Sequence, residues 1–133
     1  MRTAILIATT LAAGIASAAA QDQSDFPDAC RTQAVDMPMR HGGMGQMMEH
    51  QREANEGMMM MDRNMAMGMM AEDPDVAFMC GMIAHHMGAI AMSEVQLKYG
   101  NDETARALAQ RIIEAQKAEI SEMTQWVEEN AKK

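Results

Sequence analysis

Four side chains near the middle of the chain are of types and spacing that suit metal chemistry: Met82, His85, His86 and Met92. Neutral imidazole is a good ligand for borderline ions, and a thioether is a soft donor that suits Cu(I) or Ag(I). Met82 lies one helical turn before both histidines, and Met92 lies two turns after His85. The competing view makes His85 and His86 core residues held by Gln116 or a backbone carbonyl, with Met82 and Met92 as apolar filling. For a lone histidine that view wins; a histidine pair flanked by methionines favours metal. Neighbouring residues of a helix diverge by ~100°, so the two imidazoles can serve different sites. Met79, one stripe over with His86, and Met123, approaching from the following helix, complete this candidate set.

A second set of donors precedes it. Of the 19 methionines in 133 residues, thirteen lie between Met37 and Met70. Met37, Met39, His41, Met44, Met47, Met48 and His50 interleave thioethers with imidazoles. Methionine is a flexible core filler, which accounts for a stripe running from Met47 to Met65. The run Met58-Met59-Met60-Met61 points in four directions around a helix, and one buried face does not absorb it. Met60 and Met67, on the side away from the stripe, are expected to face water or a partner. The whole segment reads as a weak, multi-ion binding region, with an adaptable protein-binding surface as the competitor.

The elements that position these residues are helices. Asp73 is an N-cap candidate, Pro74 suits the first helical position, and Gly100 is the residue expected just past the end, with left-handed backbone. Between them lie only three charges, Asp75, Glu94 and Lys98, so this helix is expected to be covered on several sides. One stripe holds Phe78, Met82, His85, Ala89, Met92, Gln96 and Tyr99; a second holds Met79, Ile83, His86, Ile90 and Leu97. Both histidines therefore fall on faces expected to be buried. A third, small-residue face of Ala77, Gly81, Ala84, Gly88 and Ala91 invites close approach of another helix, within the chain or from a second copy of it. The remaining side, with Val76, Cys80, Met87, Glu94 and Lys98, is read as the outer one.

Before it, residues 46–71 read as one long helix, broken at most locally at Gly57 and Gly68. After it, Asn101 or Asp102 caps a third helix running to about Asn130, with an apolar line through Leu108, Ile112, Gln116, Ile120, Met123 and Val127. Gln116 interrupts that line and needs a buried partner or an exposed edge. The short turn at Gly100-Asn101 makes the last two helices an antiparallel hairpin.

Residues 1–20 read as a secretory signal peptide: Arg2, an apolar stretch, and small residues ending at Ala20. Residues 21–45 form an arm, with a short helix starting near Asp25 and running to about Val35. Residues 46–131 form the helical domain. No stretch after the signal is expected to span a membrane, and the mature chain is expected in the periplasm. Removing Arg2 takes the net charge from −8 to −9 (10 basic minus 19 acidic residues), a poor balance for nucleic acid. Cys30 and Cys80, an even pair in an exported chain, are expected to form a disulfide tying the arm to the central helix.

The pattern Asp75-x-x-Phe78-x-x-x-Met82-x-x-His85-His86-x-x-Ala89-x-x-Met92, followed by Leu108-Ala109, Ile112, Gln116, Glu119-Ile120, Met123 and Trp126, resembles the domain-of-unknown-function 305 family. The resemblance covers about residues 46–130. It departs at Ala84, where a proline is usual, and at Cys80, where a small residue is usual. It implies a ferritin-like helical bundle and, for some relatives, periplasmic copper binding and tolerance through Met and His side chains.

Together these observations predict an all-α fold, an antiparallel bundle of three long helices with a short N-terminal helix or arm. They predict a copper-binding protein for sequestration, delivery or tolerance, with Cu(I) favoured over Cu(II) or Ag(I) and a metal-exporting or metal-accepting protein as partner. The alternative is a Met-rich helical chaperone or interaction protein without metal. An enzyme is disfavoured: no histidine has Glu three residues before it, as a di-iron bundle requires, and no nucleophile elbow, phosphate loop or Cys-x-x-Cys is present.

Overall fold

The computed structural model describes residues 26–32 and 47–131. The signal segment, most of the arm, and with it Met37, Met39, His41 and Met44, lie outside them. The described residues form three helices, α1 (Glu49–Gly68), α2 (Pro74–Tyr99) and α3 (Glu103–Asn130), and no strand. Of the N-terminal helix expected near residues 25–35, the described part is a single 3-10 turn, Asp28–Cys30.

The helix ends follow local chemistry. The Asp73 side chain accepts hydrogen bonds from the backbone N–H of Asp75 and Val76, and Pro74 opens α2 where its missing donor is harmless. Asp102, not Asn101, caps α3 by accepting from Ala105 N. Gln51 reaches back to the backbone N–H of Met48 to close the start of α1. Gly100 departs from expectation: its φ of −76° and ψ of 144° are extended, not left-handed. The Arg106 guanidinium secures this turn by donating to the carbonyls of Leu97 and Gly100.

α2 is the centre of the fold. α1 and α3 each pack along it in antiparallel sense and meet each other only sparsely. The α1 contact uses the small-residue face. A Cβ added at Gly57 would lie 2.8 Å from the Ala91 Cβ, one at Gly88 would run into the Met61 side chain, and one at Gly68 would lie 2.9 Å from the Cys80 backbone carbon. The small-residue face is therefore filled by α1 and is not free for a second copy.

The side of α2 read as outer is the interior. Val76, Cys80 and Met87 are buried with Ile83 and Ala84, and Phe26, Cys30 and Val127 close over them. The disulfide Cys30–Cys80 is formed, and both cysteines are fully buried. The bond brings the N-terminal turn onto this side of α2, where Thr32 Oγ1 donates to the Met67 carbonyl at 2.6 Å. Met60 and Met67, expected outside, are half-buried, and Met67 packs against this core. The most exposed described methionines are instead Met48, Met69 and Met70.

α2 is also long and apolar enough to cross a membrane, with a mean hydropathy of 1.4 over its most apolar window, contrary to the sequence expectation. Ten of its residues are buried within the fold. An interior helix needs the same composition as a membrane span.

Two outcomes follow from this packing. Gly68→Ala forces a Cβ onto backbone that has no freedom to yield, and should cost about 1–3 kcal/mol, the range for overpacking. Gly81→Ala meets only the flexible Met69 side chain at 3.2 Å and should be near neutral; urea denaturation of both variants checks the contrast. Reducing the disulfide frees a loop of 50 residues' separation and should remove about 4 kcal/mol in the chain-entropy model, read as a fall in melting temperature on adding reductant.

Candidate functional site

The two neighbouring histidines have different fates. His86 is buried between α2 and α3. Its Nδ1 donates to the Met82 carbonyl, one turn back, at 2.7 Å; a carbonyl only accepts, so Nδ1 carries the hydrogen. Its Nε2 lies 2.6 Å from Glu119 Oε2, with one proton shared between them. Both ring nitrogens are thereby engaged, and His86 is a bridge from α2 to α3. Its partner is Glu119, not Gln116.

His85 is exposed, against the expectation of burial. The same holds for much of its stripe. Phe78 is 61% exposed and Met92 47%, while Met82 and Ala89 are half-buried. Along one edge of this open stripe α1 places Met61 against Gly88 and Met69 against Gly81. Along the other edge, Ala89, Met92, Ser93 and Gln96 share a shallow apolar depression of about 300 Å³ with residues of α3, among them Leu108, itself 49% exposed. The face of α2 pointing away from the disulfide thus carries two thioethers and an imidazole on an open apolar surface.

Not all candidate donors join it. Met79 and Met123 pack against the core on the disulfide side. Met47, Met48 and His50 are exposed at the start of α1, beside the end of α2, where the His50 ring lies 6.0 Å from that of Tyr99. Tyr99 is fourteen residues from His85 on α2, ~21 Å at helical rise, so that group is separate. Among the described residues no three His, Cys, Asp or Glu side chains converge as an ion would need.

Sequence reasoning missed two constellations. Glu119 appeared only as part of the family pattern, with nothing to link it to His86, 33 residues away. At the far end, Glu53 accepts from Lys98 Nζ at 2.6 Å and from the Tyr99 hydroxyl at 2.7 Å, clamping the start of α1 to the end of α2. Those two donors hold the Glu53 carboxyl below its ordinary range. The Glu53 hydrogen bond in turn raises Lys98, and burial with the same carboxylate raises Tyr99. A carboxyl lowered in the fold contributes stability at neutral pH and loses it as acid titrates the group, so this clamp loosens in acid. Partners 45 and 46 residues apart leave no periodic trace in a sequence. Two buried polar atoms, Asn64 Nδ2 and Gln116 Oε1, have no hydrogen-bond partner among the described residues.

The fold and the site define a small all-helical protein whose central helix carries an exposed Met/His stripe. The chain belongs to the DUF305 family, a domain of unknown function, whose pattern matches residues 7–127. None of the curated proteins matches the chain.

The split between the histidines is measurable. His86→Ala leaves Met82 and Glu119 without their bridge and should cost about 1–2 kcal/mol. His85→Ala should stay within about 0.5 kcal/mol of the parent, as for other surface positions; paired chemical denaturation curves decide it.

Proposed function

We propose that this protein binds Cu(I), with Ag(I) as its chemical surrogate, through Met82 and His85 on the open face of α2, and serves in copper sequestration, delivery or tolerance in the periplasm. The observation that carries the proposal is the exposure of that stripe. Thioethers used as core filling are buried; Met92 and His85 are not, and Met82 is only partly so. Met82 and His85 are three residues apart on one helix face, so their donor atoms are neighbours. A thioether and an imidazole together select a soft or borderline ion. The Met47, Met48 and His50 group supports the same reading as a weaker accessory region, and a ferritin-like relationship of the helices belongs to it as well. No turnover is part of the proposal.

A second reading has its own observation. Phe78 and Leu108 are exposed beside the stripe, and neither is a ligand. A Met-rich interaction protein without metal would use the same surface.

Competition of the mature protein against a chromophoric Cu(I) chelator separates the two. We expect His85→Ala to weaken the tightest site at least tenfold and His86→Ala, where folded, to affect it much less. Binding should also weaken in mild acid, because a proton competes with the ion for imidazole but not for a thioether. A parent protein that takes up no Cu(I), or a His85→Ala variant equal to it at every pH, removes the metal reading and leaves the interaction surface.

A further inference from the structure

Gly81 leaves a gap on α2 one turn before His85, and a thioether side chain of α1 fills it. Among the described residues, the atoms nearest a Cβ placed on Gly81 are Met69 Cγ at 3.2 Å and Met69 Sδ at 4.0 Å. Met69 is the C-cap of α1, and its backbone N–H donates to the Met65 carbonyl, so the side chain starts from a held position. The residue is nevertheless 61% exposed. Its stem is seated on α2 while much of it meets solvent, where an ion arrives. Met70, next in the chain and 65% exposed, has no atom in that gap.

Helix geometry brings this sulfur to Met82 and His85. At ~100° per residue, His85 lies ~40° around the axis of α2 from Gly81 and ~60° from Met82, between the two and one turn further on. Helical side chains lean toward the N-terminus, over the preceding turn. The His85 imidazole therefore leans over the turn that carries Gly81 and Met82. Cβ positions four residues apart on a helix are ~5–6 Å apart, and the Met69 sulfur is 4.0 Å from the one at Gly81. One ion is within reach of both. We infer that Met69 is the third ligand of the site, giving Cu(I) or Ag(I) two thioethers, from Met69 and Met82, and the imidazole of His85; the inference rests on the proposed copper function.

The set has chemical consequences. Two soft sulfurs with one imidazole favour a monovalent ion over Cu(II), which suits nitrogen and oxygen donors in a tetragonal array. Glycine at 81 acquires a role in binding, because a side chain there takes the place of the Met69 stem. Ligands drawn from α1 and α2 exist together only when the two helices are docked, so the ion stabilises the fold it binds. If Met69 only covered Gly81, leucine would serve as well, since covering depends on apolar volume and not on sulfur.

Competition of the mature protein against a chromophoric Cu(I) chelator tests this with Met69→Leu, Met70→Leu, Met92→Leu and Gly81→Ala, each also followed by urea denaturation. Met69→Leu should weaken the tightest site roughly tenfold or more, the scale on which even the outer partners of metal ligands act, with its urea midpoint unchanged. Met70→Leu should bind as the parent does. Gly81→Ala, near neutral for folding, should weaken binding because its Cβ displaces the Met69 stem. In the parent itself, isotope-labelled at the methionine methyls, substoichiometric Ag(I) should shift the Met69 and Met82 resonances together and leave Met70 in place; this measurement requires no variant to fold. A Met69→Leu protein that binds like the parent, a loss confined to Met92→Leu, or a Met69 methyl unmoved by Ag(I) while His85→Ala still weakens binding overturns Met69 as a ligand and leaves the copper function standing. A parent that takes up neither ion overturns both.

Discussion

The close approach of α1 to α2 is the constraint on which the other contacts depend. Gly57 at Ala91, Gly68 at Cys80 and Gly88 at Met61 leave no space for a further carbon between the helices. Each glycine inside a helix costs ~1 kcal/mol against alanine, and the return is a contact in which α1 lies against the central helix along most of its length. Once α1 takes that side and α3 the opposite one, α2 has two faces left. The disulfide assigns one of them to the N-terminal turn and the core. The other has nothing left in the described fold to cover it, which is how a helix with interior composition comes to present methionine and histidine at a surface.

The histidine pair shows how finely that arrangement sorts side chains. His85 and His86 are chemically identical and adjacent, yet ~100° of helical rotation separates a bridge between α2 and α3 from an exposed ring. Their ring centroids are 5.9 Å apart. His86, held on both nitrogens, fixes the rotation of α2 relative to α3 and with it the direction in which His85 and Met82 point. The buried histidine and Glu119 thus set where the exposed ring points.

Much of this was legible in the chain. Asp73, Pro74 and Asp102 mark helix ends because capping and proline chemistry act within four residues. The lengths of the three helices follow from uninterrupted periodicity between those ends. The pairing of Cys30 with Cys80 follows from there being only two cysteines. The small-residue face was recognisable as a place of close approach, because Gly81, Ala84 and Gly88 recur at helical spacing and have no other use.

Which face of α2 is inside was not legible, and the inversion is instructive. Its residues are apolar nearly all round, so periodicity defined the stripes but gave no contrast by which to rank them. The stripe with Phe78 and Met92 looked like core and is open; the stripe with Cys80 and Met87 looked peripheral and is sealed. That choice rests on contacts far apart in the chain, the 50-residue disulfide and the Glu53–Lys98 and His86–Glu119 pairs. The sequence by itself determined the helices, their ends, the disulfide and the types of donor available. Only the tertiary structure decided which donors meet solvent, because a helix carries its own hydrogen bonds and caps locally, whereas the burial of a face depends on what other segments cover it.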